Sequence, residues 1–173
     1  RALHPGVSLI DAVDRLHHLE GKTVEVIADG HVLARRTVTE GMVMLGGKPG
    51  DPEEATVIIV GLPYEAVLEP LPLEVGMQDG TSAGRTKRIY EVDIFFHQSG
   101  GCLIGDRVGG RFDVMSMREV GAPLGVAVPL FTGIKTHKLD ARGEREASFV
   151  IRQESPVPLS VLGVVPKWSV NGS

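Results

Sequence analysis

The sequence predicts a mostly β protein: an antiparallel β-sandwich or barrel-like domain with one short helix near the N-terminus. Glycine and proline are frequent, 22 and 11 of 173 residues, and they are scattered as in proteins made of many short strands joined by turns. Hydrophobic residues make up 42% and charged residues 23%, which is ordinary for a globular protein. We therefore expect residues 1–173 to form a single β-rich domain, with a possible subdivision near 76–84.

The one predicted helix lies at residues 9–20. Its apolar residues recur at helical spacing: Leu9, Val13, Leu16 and Leu19. Ser8 can cap the first turn, and Gly21 can stop the helix. The pattern indicates one short helix or helical turn before the first strand.

An antiparallel meander is predicted for residues 23–45. Apolar and polar residues alternate over 23–28 and again over 32–38, and Asp29-Gly30 stands between the two runs. An Asp-Gly pair there favours a type I′ hairpin turn, because both central positions of that turn need positive φ. Glu40-Gly41 turns the chain again, and the apolar run 55–60 is suited to a fourth, central strand.

Residues 62–73 are predicted to lie extended, because their three prolines forbid helix and confine any strand to a sheet edge or an irregular path. Beyond them, residues 76–84 are polar and rich in turn formers, as expected of a boundary or a loop. The candidate contacts with a neighbouring molecule in the extended segment are Pro63, Tyr64, Pro70 and Pro72. The alternative is that these residues cover the domain's own core.

The clearest strand of the second half lies at residues 88–97. One face is predicted to carry Tyr90, Val92, Ile94 and Phe96. Phe95 breaks the alternation, so it is either covered by a neighbouring element or is a candidate interface residue. Further strands are predicted near 112–117, over 149–153 and over 159–165.

Charge and cysteine content exclude several functional classes. The net charge of −4 and the pI near 5.9 provide no overall attraction to nucleic acid or to an anionic membrane. Cys102 is the only cysteine, which excludes an intramolecular disulfide and a cysteine-rich zinc site. No apolar run approaches the roughly 20 residues of a membrane-spanning helix, so we expect no membrane insertion by this domain. The chain begins at Arg1 without an initiator Met, so we expect it to be a fragment of a longer protein.

The sequence contains no catalytic pattern, and we expect neither enzyme activity nor a cofactor. The glycine-rich stretch 46–50 lacks the Gly-Lys-Ser/Thr ending of a phosphate-binding loop. The histidines show no His-x-x-x-His spacing, so no metal site is predicted. We interpret Cys102 as a small buried hydrophobe, because neither a neighbouring base nor a redox partner is evident.

Arg85, Lys87 and Arg88 form a compact basic cluster in front of the strand at 88–97. They are candidate contacts with phosphate or with an acidic partner. The alternative is a solvated strand entry whose charges keep a sheet edge from pairing.

Five motifs occur in a fixed order along the chain. They are Leu-Glu-Gly-Lys-Thr-Val at 19–24, Ala-Asp-Gly at 28–30, Val-Gly-Leu-Pro-Tyr at 60–64, Leu-Phe-Thr-Gly at 130–133 and Pro-x-Pro-Leu-x-Val-Leu at 156–162. In this order they resemble the C-terminal region of the large bacteriophage tail proteins called nozzle, tail tubular or stabilization proteins. Some of these are labelled as containing a domain like the first catalytic-cysteine half-domain of ubiquitin-activating enzymes. That label implies a shape and no activity, because Cys102 lies in no matching motif.

The resemblance implies a structural role in the virion. The domain would be one segment of a ring, six-fold in the full-length protein, around the DNA exit channel below the head-to-tail connector. It would act in virion assembly and in DNA retention and ejection. Its implied partners are copies of itself, the connector or adaptor, other tail proteins, and double-stranded DNA that passes without sequence-specific binding. The protein would be assembled in the host cytoplasm and located in the virion tail.

A function of a different class is a receptor- or carbohydrate-binding β module of a tail or cell-surface protein. Sugar-binding platforms usually need exposed Trp or Tyr side chains. The chain has one Trp, Trp168, and two Tyr, Tyr64 and Tyr90, and both tyrosines stand within apolar patterns. The sequence therefore favours the structural role.

Overall fold

The computed structural model describes residues 12–46, 54–74, 76–77, 80–107, 110–118, 129–140 and 142–170. These residues are mostly β, with fifteen strands in antiparallel sheets, and the predicted fold class is confirmed. The chain divides into two compact units, 1–64 with 119–128 and 65–118 with 129–173. The sequence predicted one domain with a possible subdivision near 76–84, whereas the structure has two units divided after Tyr64. Among the described residues, no helix has the length and apolar character needed to cross a membrane.

The described part of the first unit is built around one central strand, β2 (Thr23–Ala28). The strands β3 (His31–Val32) and β4 (Arg36–Thr37) pair along one side of β2, and β6 (Ile58–Gly61) pairs along the other. The short strands β1 (Ala12–Val13) and β5 (Val43–Met44) form a separate ladder. The core of this unit consists of Val24, Val26, Ala28, Leu33, Val38, Val43, Leu45 and Ala55.

The turn between β2 and β3 forms as predicted. Asp29 and Gly30 have φ of 48° and 81°, the positive values that a type I′ turn requires. The Asp29 carboxylate also accepts hydrogen bonds from the backbone N–H groups of Thr56 and Val57, the latter at 2.8 Å. The turn is thereby tied to the start of β6.

The predicted meander is interrupted after its second turn. Glu40-Gly41 does turn the chain, with φ of 56° and 68°. Beyond it, however, β5 pairs with β1 and not with β4. The strand predicted as central, β6, lies at the edge of the sheet, and its burial alternates. β2 takes the central position because three strands pair with it, β3 and β4 on one side and β6 on the other.

Gly30→Val is expected to destabilise the first unit by on the order of 1 kcal/mol or more. A β-branched residue resists the φ of 81° that Gly30 adopts. Thermal unfolding followed by circular dichroism measures the effect. Thr23→Val, at an exposed position of the same hairpin, is the matched control and should leave the midpoint nearly unchanged. Equal midpoints for the two variants would contradict the turn assignment.

The N-terminal helix predicted at 9–20 is reduced to its alternative, a single helical turn. Ala12–Val13 is a strand, and only His17–Leu19 forms a single 3-10 turn. Arg15 has a φ of 64°, which a right-handed helix does not accommodate. Ser8 and Leu9, the predicted cap and first apolar residue, lie outside the described residues.

The described part of the second unit contains two larger sheets. One has the strand order β13 (Phe131–Lys138), β10 (Lys87–Ser99), β15 (Val161–Val170). The other has the order β12 (Phe112–Ser116), β11 (Gly101–Asp106), β14 (Phe149–Gln153), β7 (Ala66–Leu68). A short hairpin of β8 (Gly76–Met77) and β9 (Gly80–Thr81) occupies part of the predicted loop at 76–84. The sequence predicted β10, β12, β14 and β15 and missed β11 and β13.

Strand β10 contains a bulge that reverses one predicted orientation. Its register against β15 shifts between Ile89 and Glu91, so Tyr90 is the extra residue. Tyr90 therefore points to solvent and Ile89 is buried, contrary to the prediction that Tyr90 shares the buried face. The other members of that face are buried as predicted: Val92, Ile94 and Phe96.

The two sheets of the second unit pack as a β-sandwich. Phe96 of one sheet and Phe149 of the other are the largest fully buried apolar side chains of this unit. Polar contacts close the sandwich on the side of β12 and β13. There the Lys135 Nζ donates a hydrogen bond to the Ser116 carbonyl oxygen at 2.7 Å.

Candidate functional site

The segment 62–73 runs extended, as predicted, and includes the edge strand β7. Within the described residues, β7 pairs with β14 alone. Three hydrogen bonds attach the chain after β7 to the rest of the second unit. The Ser148 hydroxyl donates to the Pro70 carbonyl at 2.7 Å, the Lys87 Nζ donates to the Leu73 carbonyl at 2.7 Å, and the Leu73 N–H donates to the Ala147 carbonyl at 3.2 Å.

Large apolar side chains are exposed at five positions within ten residues of this segment. They are Leu62, Tyr64, Val67, Leu68 and Leu71. Leu71 is 88% exposed although the carbonyl groups of Pro70 and Leu73 on either side of it are hydrogen-bonded. A fixed backbone that presents an apolar side chain to water is typical of a contact surface.

The four candidate interface residues of the segment differ in exposure. Tyr64 is exposed, whereas Pro63, Pro70 and Pro72 are half-buried. Pro70 lines an apolar cleft of about 210 Å³ inside the second unit. The other residues of the cleft wall are Leu71, Leu73, Ile89, Ser148, Phe149, Val164 and Pro166. Pro70 thus covers part of its own core, which was the alternative for these prolines.

Phe95 lies half-buried on the outer face of the three-stranded sheet. Its direct neighbours across the sheet are Ile134 on β13 and Gly163 on β15. A Cβ placed on Gly163 would lie 4.0 Å from Phe95 Cδ2, so the ring lies over a strand that has no side chain at that point. Ile134 and Val165 beside it are exposed. Phe95 therefore belongs to a small apolar patch that no element of the described chain covers fully.

A charged cluster adjoins the Phe95 patch on the same face. The Thr136 hydroxyl donates to Asp93 at 2.5 Å, and Lys167 lies 3.2 Å from the other Asp93 oxygen and also contacts Glu91. The hydrogen bond from Thr136 and then that from Lys167 lower the pKa of the Asp93 carboxyl. Hydrogen bonds to Glu91 and Asp93 raise the pKa of Lys167. Lys167 offsets one of the two carboxylate charges, so the cluster keeps a net charge of −1.

The structure separates the three residues of the predicted basic cluster. Lys87 is only 1% exposed, so the prediction that it contacts phosphate or an acidic partner is wrong. It begins β10 on the buried face, where alternation along the strand turns Arg88 outward. Arg88 is half-exposed and lies 3.9 Å from Asp140. Arg85 lies in a turn before the strand and is half-buried. Of the three, Arg88 and Arg85 remain candidates for a partner contact.

Cys102 is buried in β11, and burial raises the pKa of its thiol to about 11. At neutral pH the thiol is therefore protonated and is a poor nucleophile. This environment agrees with the interpretation of Cys102 as a small buried hydrophobe. Among the described residues, no three His, Cys, Asp or Glu side chains form a group that could hold a metal ion.

Cys102→Ser is expected to cost only about 1 kcal/mol of folding free energy, because a small buried side chain is replaced by one of similar size with a hydroxyl that needs a partner. The native thiol should also react slowly with iodoacetamide at pH 7.5 and quickly after unfolding. Rapid alkylation of the folded protein would show that the thiol is activated, and particle infectivity of the Cys102→Ser variant would then decide its role.

Sequence reasoning missed two ion-pair clusters on the outer face of the four-stranded sheet. Arg107 lies between Glu69, at 2.7 Å, and Glu146, at 3.3 Å. Arg152 lies between Glu65, at 2.9 Å, and Glu154, at 3.3 Å. Arg152 also lies over the Phe112 ring, 4.3 Å from its centroid. No short-range pattern predicts these contacts, because the partners lie up to 87 residues apart in the chain.

The chain was compared with models of protein families and with curated proteins, and neither comparison found a match.

Proposed function

We propose that this chain is a structural segment of a bacteriophage tail, part of a nozzle or tail-tube ring around the DNA exit channel below the connector. In this role it acts in virion assembly and in DNA retention and ejection. Copies of the chain contact one another in the ring, six-fold in the full-length protein, and the ring contacts the connector or adaptor and other tail proteins. The motif order along the chain supports this proposal by its resemblance to tail nozzle proteins.

The observation that carries the proposal is the exposed apolar segment. Val67, Leu68 and Leu71 lie on or beside an edge strand, held by hydrogen bonds, in a segment that contains the candidate contact residues of the sequence. An edge strand with exposed apolar residues binds readily to another protein and is a liability in a protein that has no partner. A structural role in an assembly accounts for its presence.

The net charge of −4 also agrees with a channel component. Double-stranded DNA must slide past such a component without being held, and a basic lining would bind its phosphates. The buried, protonated thiol of Cys102 gives no support to a catalytic role.

Imaging of the intact parent particle by cryo-electron microscopy tests the proposal. We expect density for this domain in a closed ring of the tail below the connector. Density found only in a peripheral fibre, or none in the tail, would contradict the ring and favour the receptor-binding function.

The receptor- or carbohydrate-binding alternative gains one observation from the structure. Tyr64 and Tyr90 stand in apolar patterns, yet both side chains are exposed, and exposed tyrosine is what a sugar platform needs. A glycan array probed with the chain, with Tyr64→Ala and Tyr90→Ala as comparisons, tests this alternative. Binding that either substitution abolishes would establish it.

A further inference from the structure

We infer that the second unit binds a second copy of this chain head to tail, through two opposite edges of its β-sandwich. The acidic edge is formed by residues 65–74, which include β7. The basic edge is formed by residues 110–118 and 129–138, which include β12 and β13. This inference deepens the proposed ring and rests on it for the identity of the assembly, but the contact itself is argued from the two edges.

The two edges lie on opposite sides of the sandwich. In the four-stranded sheet β7 and β12 are the two outermost strands. In the three-stranded sheet that packs on this one, β15 lies on the side of β7 and β13 lies on the side of β12. Val164 and Pro166 of β15 share the cleft with Leu71 and Leu73, whereas Lys135 of β13 bonds to the end of β12. Surfaces on opposite sides of a subunit make heterologous contacts, which produce rings or filaments.

The charges of the two edges are complementary. Residues 65–74 contain three glutamates, Glu65, Glu69 and Glu74, and no basic residue. The basic edge contains Arg111, Arg118, Lys135 and Lys138 against one acid, Asp113. The acidic edge therefore carries a net charge of −3 and the basic edge, with four basic side chains and one acidic, a net charge of +3. The acidic edge of one copy therefore attracts the basic edge of another. Two acidic edges, or two basic edges, repel each other.

Internal ion pairs do not cancel the acidic edge. Arg107 is shared between Glu69 and Glu146, and Arg152 is shared between Glu65 and Glu154. Each cluster thus has two carboxylates for one guanidinium and keeps a net negative charge.

Both edges also carry exposed apolar side chains. The acidic edge has Val67, Leu68 and Leu71, and the basic edge has Val114, Leu130 and Ile134. Exposed ion pairs alone contribute little to affinity, so the apolar residues would supply most of the binding and the charges its orientation.

The two edges differ in how they are closed. On the basic side Lys135 Nζ bonds to the Ser116 carbonyl, and His137 lies 3.4 Å from Asp113, so polar groups seal the gap between the sheets. On the acidic side the gap is the apolar cleft of about 210 Å³ beside Leu71. An apolar cavity of roughly 150 Å³ already accepts a benzene-sized group, so this cleft can take an aliphatic side chain of the neighbouring copy.

Two single substitutions test the head-to-tail contact on the 173-residue chain. Leu71→Asp blocks the acidic edge, and Val114→Asp blocks the basic edge. Both residues are largely exposed, at 88% and 76%, so neither change should disturb folding. Sedimentation velocity is measured at chain concentrations up to about 1 mM, at which a contact with a Kd near 1 mM is about half occupied. We expect the unmodified chain to associate beyond a dimer in this range.

Each variant alone should stay monomeric, because a head-to-tail chain of copies needs both edges. The two variants mixed should form a 1:1 complex, since one supplies an intact basic edge and the other an intact acidic edge. Met44→Asp, an exposed position of the first unit, should associate like the unmodified chain. Circular dichroism of each variant verifies the fold.

Three outcomes would overturn the inference: an unmodified chain that is monomeric throughout, variants that associate like it, or a variant that forms a dimer by itself, which indicates a two-fold contact. These outcomes are independent of the particle image. A tail ring seen in the particle together with a monomeric chain would retain the proposed function and reject this contact. A chain that associates head to tail, together with a particle that has no such ring, would reject the proposed function alone.

Discussion

Lys87→Glu is expected to destabilise the second unit by about 3 kcal/mol or more, because it places an unpaired carboxylate in the interior. Lys87 is 1% exposed, and its Nζ donates to the Leu73 carbonyl oxygen at 2.7 Å. Glutamate would bring a second acceptor toward that carbonyl. The substitution therefore removes a hydrogen bond and adds a repulsion.

Trp168, the only tryptophan of the chain, lies in β15 and reports on this unit selectively. Urea unfolding followed by Trp168 fluorescence should show the lower free energy of unfolding of the Lys87→Glu variant. Arg88→Glu, at the next position of the strand, is the matched control. The Arg88 side chain is half-exposed, and its described ion pair is with the exposed Asp140 at 3.9 Å. A surface charge reversal of this kind changes stability by about 0.5 kcal/mol or less. Equal effects of the two substitutions would show that Lys87 is not buried.

Gly105→Ala is expected to destabilise the second unit by about 1–3 kcal/mol, although the substitution adds a single methyl group. Gly105 is buried in β11 and pairs with Phe112 of β12. A Cβ at this position would overlap the Arg111 carbonyl oxygen and lie 2.8 Å from Phe112 Cδ1. The backbone of β12 cannot move away without losing its pairing with β11, so the overlap must strain the sheet.

Gly163→Ala provides a control in a strand of the same unit. Its Cβ would meet only Phe95 Cδ2, at 4.0 Å, which is an ordinary contact. We expect no loss, and a gain of a few tenths of a kcal/mol is reasonable because alanine restricts the unfolded chain more than glycine does. Trp168 fluorescence again measures both variants. A Gly105→Ala variant as stable as Gly163→Ala would contradict the close approach of β12 to β11.

Local patterns predicted the elements whose cause is local. The turn at Asp29-Gly30 requires positive φ, a property of the two residues themselves. Strand β14 was predicted at 149–153 and forms there, with Phe149 and Ile151 in the core and Arg152 on the opposite face. The prolines at 63, 70 and 72 likewise predicted the extended path of 62–73.

Failures occurred where a distant partner decides the structure. Tyr90 was predicted to share the face of Val92, Ile94 and Phe96, but the bulge against β15 turns it outward, and Ile89 is buried. The strand β13 has weak alternation in hydrophobicity, and it forms because β10 pairs with it along most of its length. The helix predicted at 9–20 had the right spacing of apolar residues, but the positive φ of Arg15 and the pairing of Ala12 with Met44 exclude it.

The sequence by itself determined the class of fold, the principal turns, the net negative charge and the edge character of the proline-rich segment, because each of these follows from residue types and their local spacing. Only the tertiary structure decided which members of the Arg85, Lys87, Arg88 cluster reach solvent. It also brought three glutamates of 65–74 to one side of a sandwich and four basic residues to the other. Sheet pairing between distant strands sets both arrangements, and no local pattern in the chain encodes such pairing.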